Sequence, residues 1–197
     1  MTPASDGQLL QAFLAGDRSV FAALVDRHQG VLLRHARAIL GVGSDCEAVV
    51  QEVFLKLAQS PPLLPPSTDG DPQAQSAHLR AWLHTVNRNA CMDTQRSTRR
   101  RSLREEQAAS PEAHDGGIAR VEQADTRAAV ERELERLPVD QREVLVLRLL
   151  ADRSYKEIAQ ITGRNIGTVG WLVSEGLQQL GERLKPQLEG RKAGGRA

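Results

Sequence analysis

Seven arginines lie between Ser76 and Arg104 against one acid, Asp93, a local net charge of +6. Guanidinium groups bind phosphates bidentately and stack on bases, and the amides of Asn87 and Asn89 in the same stretch can read base edges. The chemistry on offer is nucleic-acid recognition, not bond making. The sequence holds no phosphate loop, nucleophile elbow or metal-ligand cluster. His78 and His84 are six residues apart, where two ligands on one helix face would be four apart. No cofactor, no metal and no enzymatic activity are therefore expected. The next stretch, Glu105–Arg136, carries nine acids against four arginines, a net of −5, so the whole-chain charge of +1 hides a basic module beside an acidic one.

A second constellation lies in Leu137–Leu184. Ala159 is small where two helices would cross, Gly163 follows four residues later at a turn, and Val169 comes six residues on as a core residue of the next helix. That spacing predicts a helix-turn-helix. Arg164, Asn165 and Thr168 at the entrance of its second helix are candidates for DNA backbone or base contact. From Ile166 to Glu182 there is neither Lys nor Arg, so this helix is expected to grip DNA weakly. Trp171 and Leu172 are expected to be exposed, for a protein partner or for packing against the first domain.

Helices must position these groups. Aromatic residues make up only 3% of the 197 residues, Leu, Ala, Arg, Glu and Gln abound, and the apolar content of 40% is enough for two small cores, so the expected class is all-α. Ser5 or Asp6 caps a short helix ended by Gly16. Arg18–Leu40 and Asp45 to about Ala58 follow, with Phe21, Leu24, Val25, His28, Leu32, Ala36 and Ile39 on one stripe and Cys46, Val49, Val50, Val53, Phe54 and Leu57 on the other. Prolines 61, 62, 65, 66 and 72 with Gly70 predict an irregular or mobile loop. A fourth helix, from about Ala77 to Arg100, buries Leu79, Trp82, Leu83, Val86 and Ala90, which places Arg80, His84, Arg88, Gln95 and Arg99 on its opposite face as a basic stripe. Asp125–Arg136 and Val139–Leu150 are read as two further helices. Cys46 and Cys91 stand in no C-x-x-C pair and are read as packing residues. No secretory signal and no apolar run of spanning length is present, so no membrane insertion and a cytoplasmic location are expected.

Three stretches in series, LLQAFLAGDRSVFAALVDRHQGVLLRHARAIL, EAVVQEVFLKLAQ and LRAWLHTVNRNACMDTQRSTRRR, precede the lead-in LP-x-x-QREV-x-x-LR (Leu137, Pro138, Gln141, Arg142, Glu143, Val144, Leu147 and Arg148). In that order they resemble regions 2 and 4 of bacterial RNA polymerase sigma factors of the extracytoplasmic-function type, the sigma-70-like group 4. The resemblance implies a region 2-like domain over residues 5–100, a flexible linker over 101–123, a region 4-like helix-turn-helix domain over 124–185 and a disordered tail over 186–197. It implies binding of core RNA polymerase, with Gln51, Glu52 and Leu55 docking on the β′ coiled coil and region 4 on the β flap. Ala48 departs from the family's usual Asp. It also implies minus-ten contact and strand capture by Arg80, His84, Asn87, Arg88, Asn89, Arg96, Arg99 and Arg100, minus-thirty-five contact by Arg164, Asn165 and Thr168, and an anti-sigma factor as a further partner. The competing reading is a stand-alone helix-turn-helix regulator, a class that usually brings dimer symmetry and a basic recognition helix, neither of which is visible here.

Overall fold

The computed structural model describes residues 4–41, 44–106 and 126–194, and among them it holds eight α-helices and no strand. The first half begins with α1 (Asp6–Leu14), where Ser5 and Gln8 exchange side chain to backbone hydrogen bonds of 3.2 and 2.8 Å in a capping box. A Cβ on Gly7 would stand 2.6 Å from the Pro72 carbonyl oxygen, so only glycine lets α1 lie this close to the start of α4. A 3-10 turn at Arg18–Val20 leads into α2 (Phe21–Leu40), and Asp45 caps α3 (Cys46–Gln59) through a 3.0 Å bond from the Ala48 amide.

The Pro-rich segment is irregular, as its composition requires, yet it is tied down. Thr68 in a 3-10 turn (Pro66–Thr68) is buried, and the fully buried Gln75 donates to its carbonyl at 3.1 Å. Helix α4 (Pro72–Glu106) starts earlier and ends later than expected, because Asp71 accepts from the Gln73 and Ala74 amides and Pro72 suits a first helical turn. At 1.5 Å per residue it is roughly 50 Å long. Leu10, Leu24, Leu32, Val53, Leu57, Leu79 and Leu83 fill the core between α1, α2, α3 and α4, with Trp82 packed at its margin.

The second half comprises α5 (Thr126–Glu135), α6 (Val139–Leu145), α7 (Tyr155–Thr162) and α8 (Ile166–Gly194). The single helix expected over Val139–Leu150 changes hydrogen-bond pattern after Leu145: Val146–Leu150 forms a π-helical turn closed by an Ala151 amide to Val146 carbonyl bond of 3.0 Å. Ser154 and Glu157 make a second capping box, and Gly163 ends α7 in the left-handed region at φ 68°. Asn165 then caps α8 through a 2.7 Å bond from the Thr168 amide. This is a helix-turn-helix, packed on Leu145, Leu147, Ile158, Ile161, Val169 and Val173. Leu172 is 5% exposed and belongs to the same core, which corrects its expected exposure, whereas Trp171 is 62% exposed. Helix α8 runs on to Gly194, through the stretch where a disordered tail was expected to begin. Most of the expected linker lies outside the described residues.

The halves are packed together. Ala38 of α2 is buried in the second core, with Val31 beside it, and the Arg142 guanidinium of α6 donates to the Ala38 carbonyl at 2.6 Å.

Candidate nucleic-acid interface

The third helix presents two faces. Val49, Val50, Val53, Phe54 and Leu57 are buried, while Ala48, Gln51, Glu52 and Leu55 share the outer face, with Leu55 58% exposed. An exposed leucine ringed by hydrogen-bonding groups is the composition of a protein-docking surface. Glu52 is held to Lys56 at 2.8 Å, an exposed i,i+4 pair.

Helix α4 divides the predicted DNA-contacting residues into two sets. Asn89, Arg96, Arg99 and Arg100 are exposed, and Arg96 pairs with Asp93 on its own helix at 3.0 Å. Earlier along the helix the expected solvent-facing stripe is covered. His84, between His35 of α2 and Arg153 of the second half, is 3% exposed, and Asn87 is fully buried against α2. Asn87 donates to the Leu32 carbonyl, and the His35 and His84 rings face each other with their Nδ1 atoms 3.1 Å apart. Arg88 donates through Nε to Glu143 of α6 at 2.8 Å. Arg80 pairs with Asp6 at 3.4 Å, and Asp6 also meets Arg27 and His28. Contact with His28, more than burial opposes it, holds the Asp6 carboxyl well below the usual carboxylate range.

At the mouth of α8, Arg164 donates to Asp140 at 2.6 Å and comes within 4.0 Å of Glu143. Asn165 is exposed but occupied by its cap, and Thr168 is half-buried.

Glu143, which sequence reasoning did not single out as a site residue, is where these groups meet. Its side chain is 1% exposed, with Arg88 on one oxygen, His35 Nε2 at 3.5 Å and Arg164 beyond. Burial pushes its carboxyl upward, and the His35 ring and Arg88 guanidinium outweigh that push, leaving it below its ordinary value. His84 goes the other way for a base: burial first, then the neighbouring His35 and Arg153, lower its pKa well below the usual histidine value, so its ring is neutral.

Residues 24–101 match the model of Sigma-70 region 2, and residues 127–180 match that of Sigma-70, region 4. The ECF RNA polymerase sigma factor SigM of Mycobacterium tuberculosis is 31% identical over 165 residues, covering 84% of this chain and 77% of that protein. The chain belongs to the extracytoplasmic-function sigma factor family. This sigma factor is also 32% identical to SigE of Mycolicibacterium smegmatis over 82% of its own length and 60% of the relative's. Among solved structures it is similar to the sigma factor RpoE of Bartonella quintana, crystallised with the anti-sigma factor NepR. The TM-score is 0.57, with 26% identity over 83% of this chain and 97% of that one. CnrH, bound to the cytosolic domain of CnrY, shares the fold at a TM-score of 0.59 and 24% identity, over 92% of this chain and 97% of that one.

The sigma factor is thus a non-enzymatic subunit that directs promoter recognition and transcription initiation through core RNA polymerase and promoter DNA. Among its described residues no group of His, Cys, Asp and Glu is arranged to hold a metal ion, and no helix is long and apolar enough to cross a membrane.

Proposed function

We propose a division of labour along the chain. The outer face of α3, with Gln51, Glu52 and Leu55, docks on the β′ coiled coil of core polymerase, and region 4 docks on the β flap. The C-terminal part of α4, with Asn89, Arg96, Arg99 and Arg100, contacts minus-ten DNA, joined by Arg80 and Arg88 once their carboxylate partners release them. His84 and Asn87, expected on the same face, are held against α2 and position the helix from within. The single observation that carries this reading is the exposure of Leu55 between Gln51 and Glu52 on a helix whose other face is core. A leucine left in water on an otherwise polar face gains about 1.5–3 kcal/mol by burial against a partner.

Opening a duplex costs unstacking energy, which a protein recovers by holding the exposed strand on cationic and planar groups. Arg164, Asn165 and Thr168 contact minus-thirty-five DNA weakly, because α8 brings no cation between Ile166 and Glu182. Tethering to a polymerase already held by the first half compensates. By analogy with the Bartonella quintana pair, an anti-sigma protein is a further partner, and the site of action is the cytoplasm.

The experiment is promoter-dependent transcription with purified core polymerase. Glu52→Lys combined with Leu55→Ala is expected to abolish co-purification with polymerase and transcription while leaving the circular dichroism spectrum unchanged. Normal co-purification of that folded variant would sink the docking assignment.

A further inference from the structure

We propose that Glu143 acts as an internal stand-in for a DNA phosphate in a closed, weakly DNA-binding form of the free chain, holding Arg88 across the seam between the halves and restraining Arg164 within the second half. Arg88 is released when the halves part, and Arg164 when a phosphate displaces its carboxylates. The proposal rests on the assignment of those two arginines to DNA in the preceding section. A carboxylate and a phosphate offer guanidinium groups the same acceptor geometry, so an intramolecular carboxylate competes directly with nucleic acid. Here one carboxylate engages arginines from both halves: Arg88 of α4 at 2.8 Å and Arg164 at the mouth of α8 at 4.0 Å. Asp140 reinforces the hold on Arg164 at 2.6 Å. While this lasts, α7 packs on α4 and Glu143 of α6 occupies Arg88, so that guanidinium is not free to meet a duplex.

The hold on these groups is incomplete. Gln141 Oε1 on α6 and Arg164 Nε are buried without a hydrogen-bond partner among the described residues, and His35 Nε2 reaches Glu143 only at 3.5 Å. Each such atom forfeits hydration without full replacement, which lowers the stability of the closed form relative to one in which water or phosphate reaches it. A polar seam of this kind between two helical units favours relative motion. The cluster is tight enough to compete for the arginines and costly enough to yield to a better anion.

The test uses the full chain without polymerase, a labelled random-sequence DNA duplex as probe, and small-angle scattering as the measure of opening. Glu143→Gln is expected to enlarge the radius of gyration and raise duplex affinity roughly ten-fold. It should also steepen the dependence of log affinity on log salt by about 0.9 for each arginine released. Arg88→Ala should open the chain equally without the gain in affinity. Glu143→Gln that folds normally yet binds with wild-type affinity and slope overturns the proposal. If that variant does not fold, Asp140→Asn decides: it alters only an exposed partner of Arg164, and it must raise affinity by a smaller factor, an unchanged value again overturning the idea. Promoter-dependent transcription separates the two levels. Wild-type transcription by Glu143→Gln with unchanged free-chain affinity removes the stand-in alone, whereas wild-type transcription by Arg88→Ala at every salt concentration removes the assignment of Arg88 to DNA.

Discussion

Gly176 of α8 lies so close to Leu145 of α6 that a Cβ built on it would stand 2.9 Å from Leu145 Cδ1. Leu145 is fully buried, so it can give way only by displacing its own neighbours in the core. This is the tight crossing of α6 and α8; the crossing of α7 and α8, where the sequence places the small Ala159, is a separate one, and Ala159 is partly buried there.

Gly176→Ala sets two effects against each other. Helix propensity favours alanine by about 1 kcal/mol, whereas overpacking a filled core costs about 1–3 kcal/mol. The expected result is a lower Tm. Gly181→Ala, five residues on with nothing within 4 Å of the added Cβ, keeps only the first effect and should raise it. Thermal unfolding of both variants checks the pair, and equal shifts would show that the crossing is looser than it stands here.

Stability should fall on acidification. The depressed pKa of buried His84 means that the unfolded chain takes up a proton near the ordinary histidine value of 6.5 while the folded chain does not. The contribution is therefore complete above that value and is lost as pH falls below it, at up to about 1.4 kcal/mol per pH unit for one proton. Glu143, also depressed, adds a further loss below 4.5. Denaturant midpoints between about pH 8 and pH 5 give the slope, and His84→Gln should flatten its upper part. A midpoint independent of pH across that range would mean that His84 charges freely in the folded protein.

Charge added to α8 should act differently at neighbouring positions. Gly170 has room for a side chain, with Tyr155 Cε2 at 3.8 Å from a built Cβ, so Gly170→Lys should fold and strengthen binding to upstream promoter DNA. Leu172→Arg places an unpaired charge in the core and should cost on the order of 3–5 kcal/mol. Titration with DNA, with circular dichroism alongside, separates the two outcomes; a folded Leu172→Arg would contradict the packing.

The two thiols should be inert in the native protein. Cys46 and Cys91 are buried and free, and burial, with the adjacent Cys46 thiol and the Glu143 carboxylate, pushes Cys91 up to about 12. Thiolate is the reactive species, so a disulfide reagent near pH 8 should titrate neither residue until denaturant is added. Prompt reaction of one equivalent without denaturant would expose an error in the packing around α4.

Features set by residues three to five apart were legible in the sequence. The Gly163 turn, the Asp45 cap and the outer face of α3 follow from local spacing, because a helix brings those positions together whatever surrounds it. The seam was not legible. Arg88 and Glu143 are 55 residues apart, and a helical wheel places Arg88 away from its own core without saying which other element covers it. Leu172 differs, because its burial is local information: Val169, Leu172, Val173 and Leu180 share one stripe of α8 that packs into the second core. The Pro-rich loop was rightly read as irregular, but its anchorage through Thr68 and Gln75 depends on α4 beginning at Pro72, where the preceding Asp71 supplies the cap.

Because Ala38 completes the core of the second half and its carbonyl receives Arg142, the segment matched to region 4 is not a portable cassette. A chimera that grafts residues 127–180 of a relative onto this first half inherits a foreign surface opposite Ala38, His35 and Arg88. The unit to transplant is the segment together with the α2 and α4 faces that receive it, and hybrids built at the linker alone will mismatch in their resting form even when each half folds.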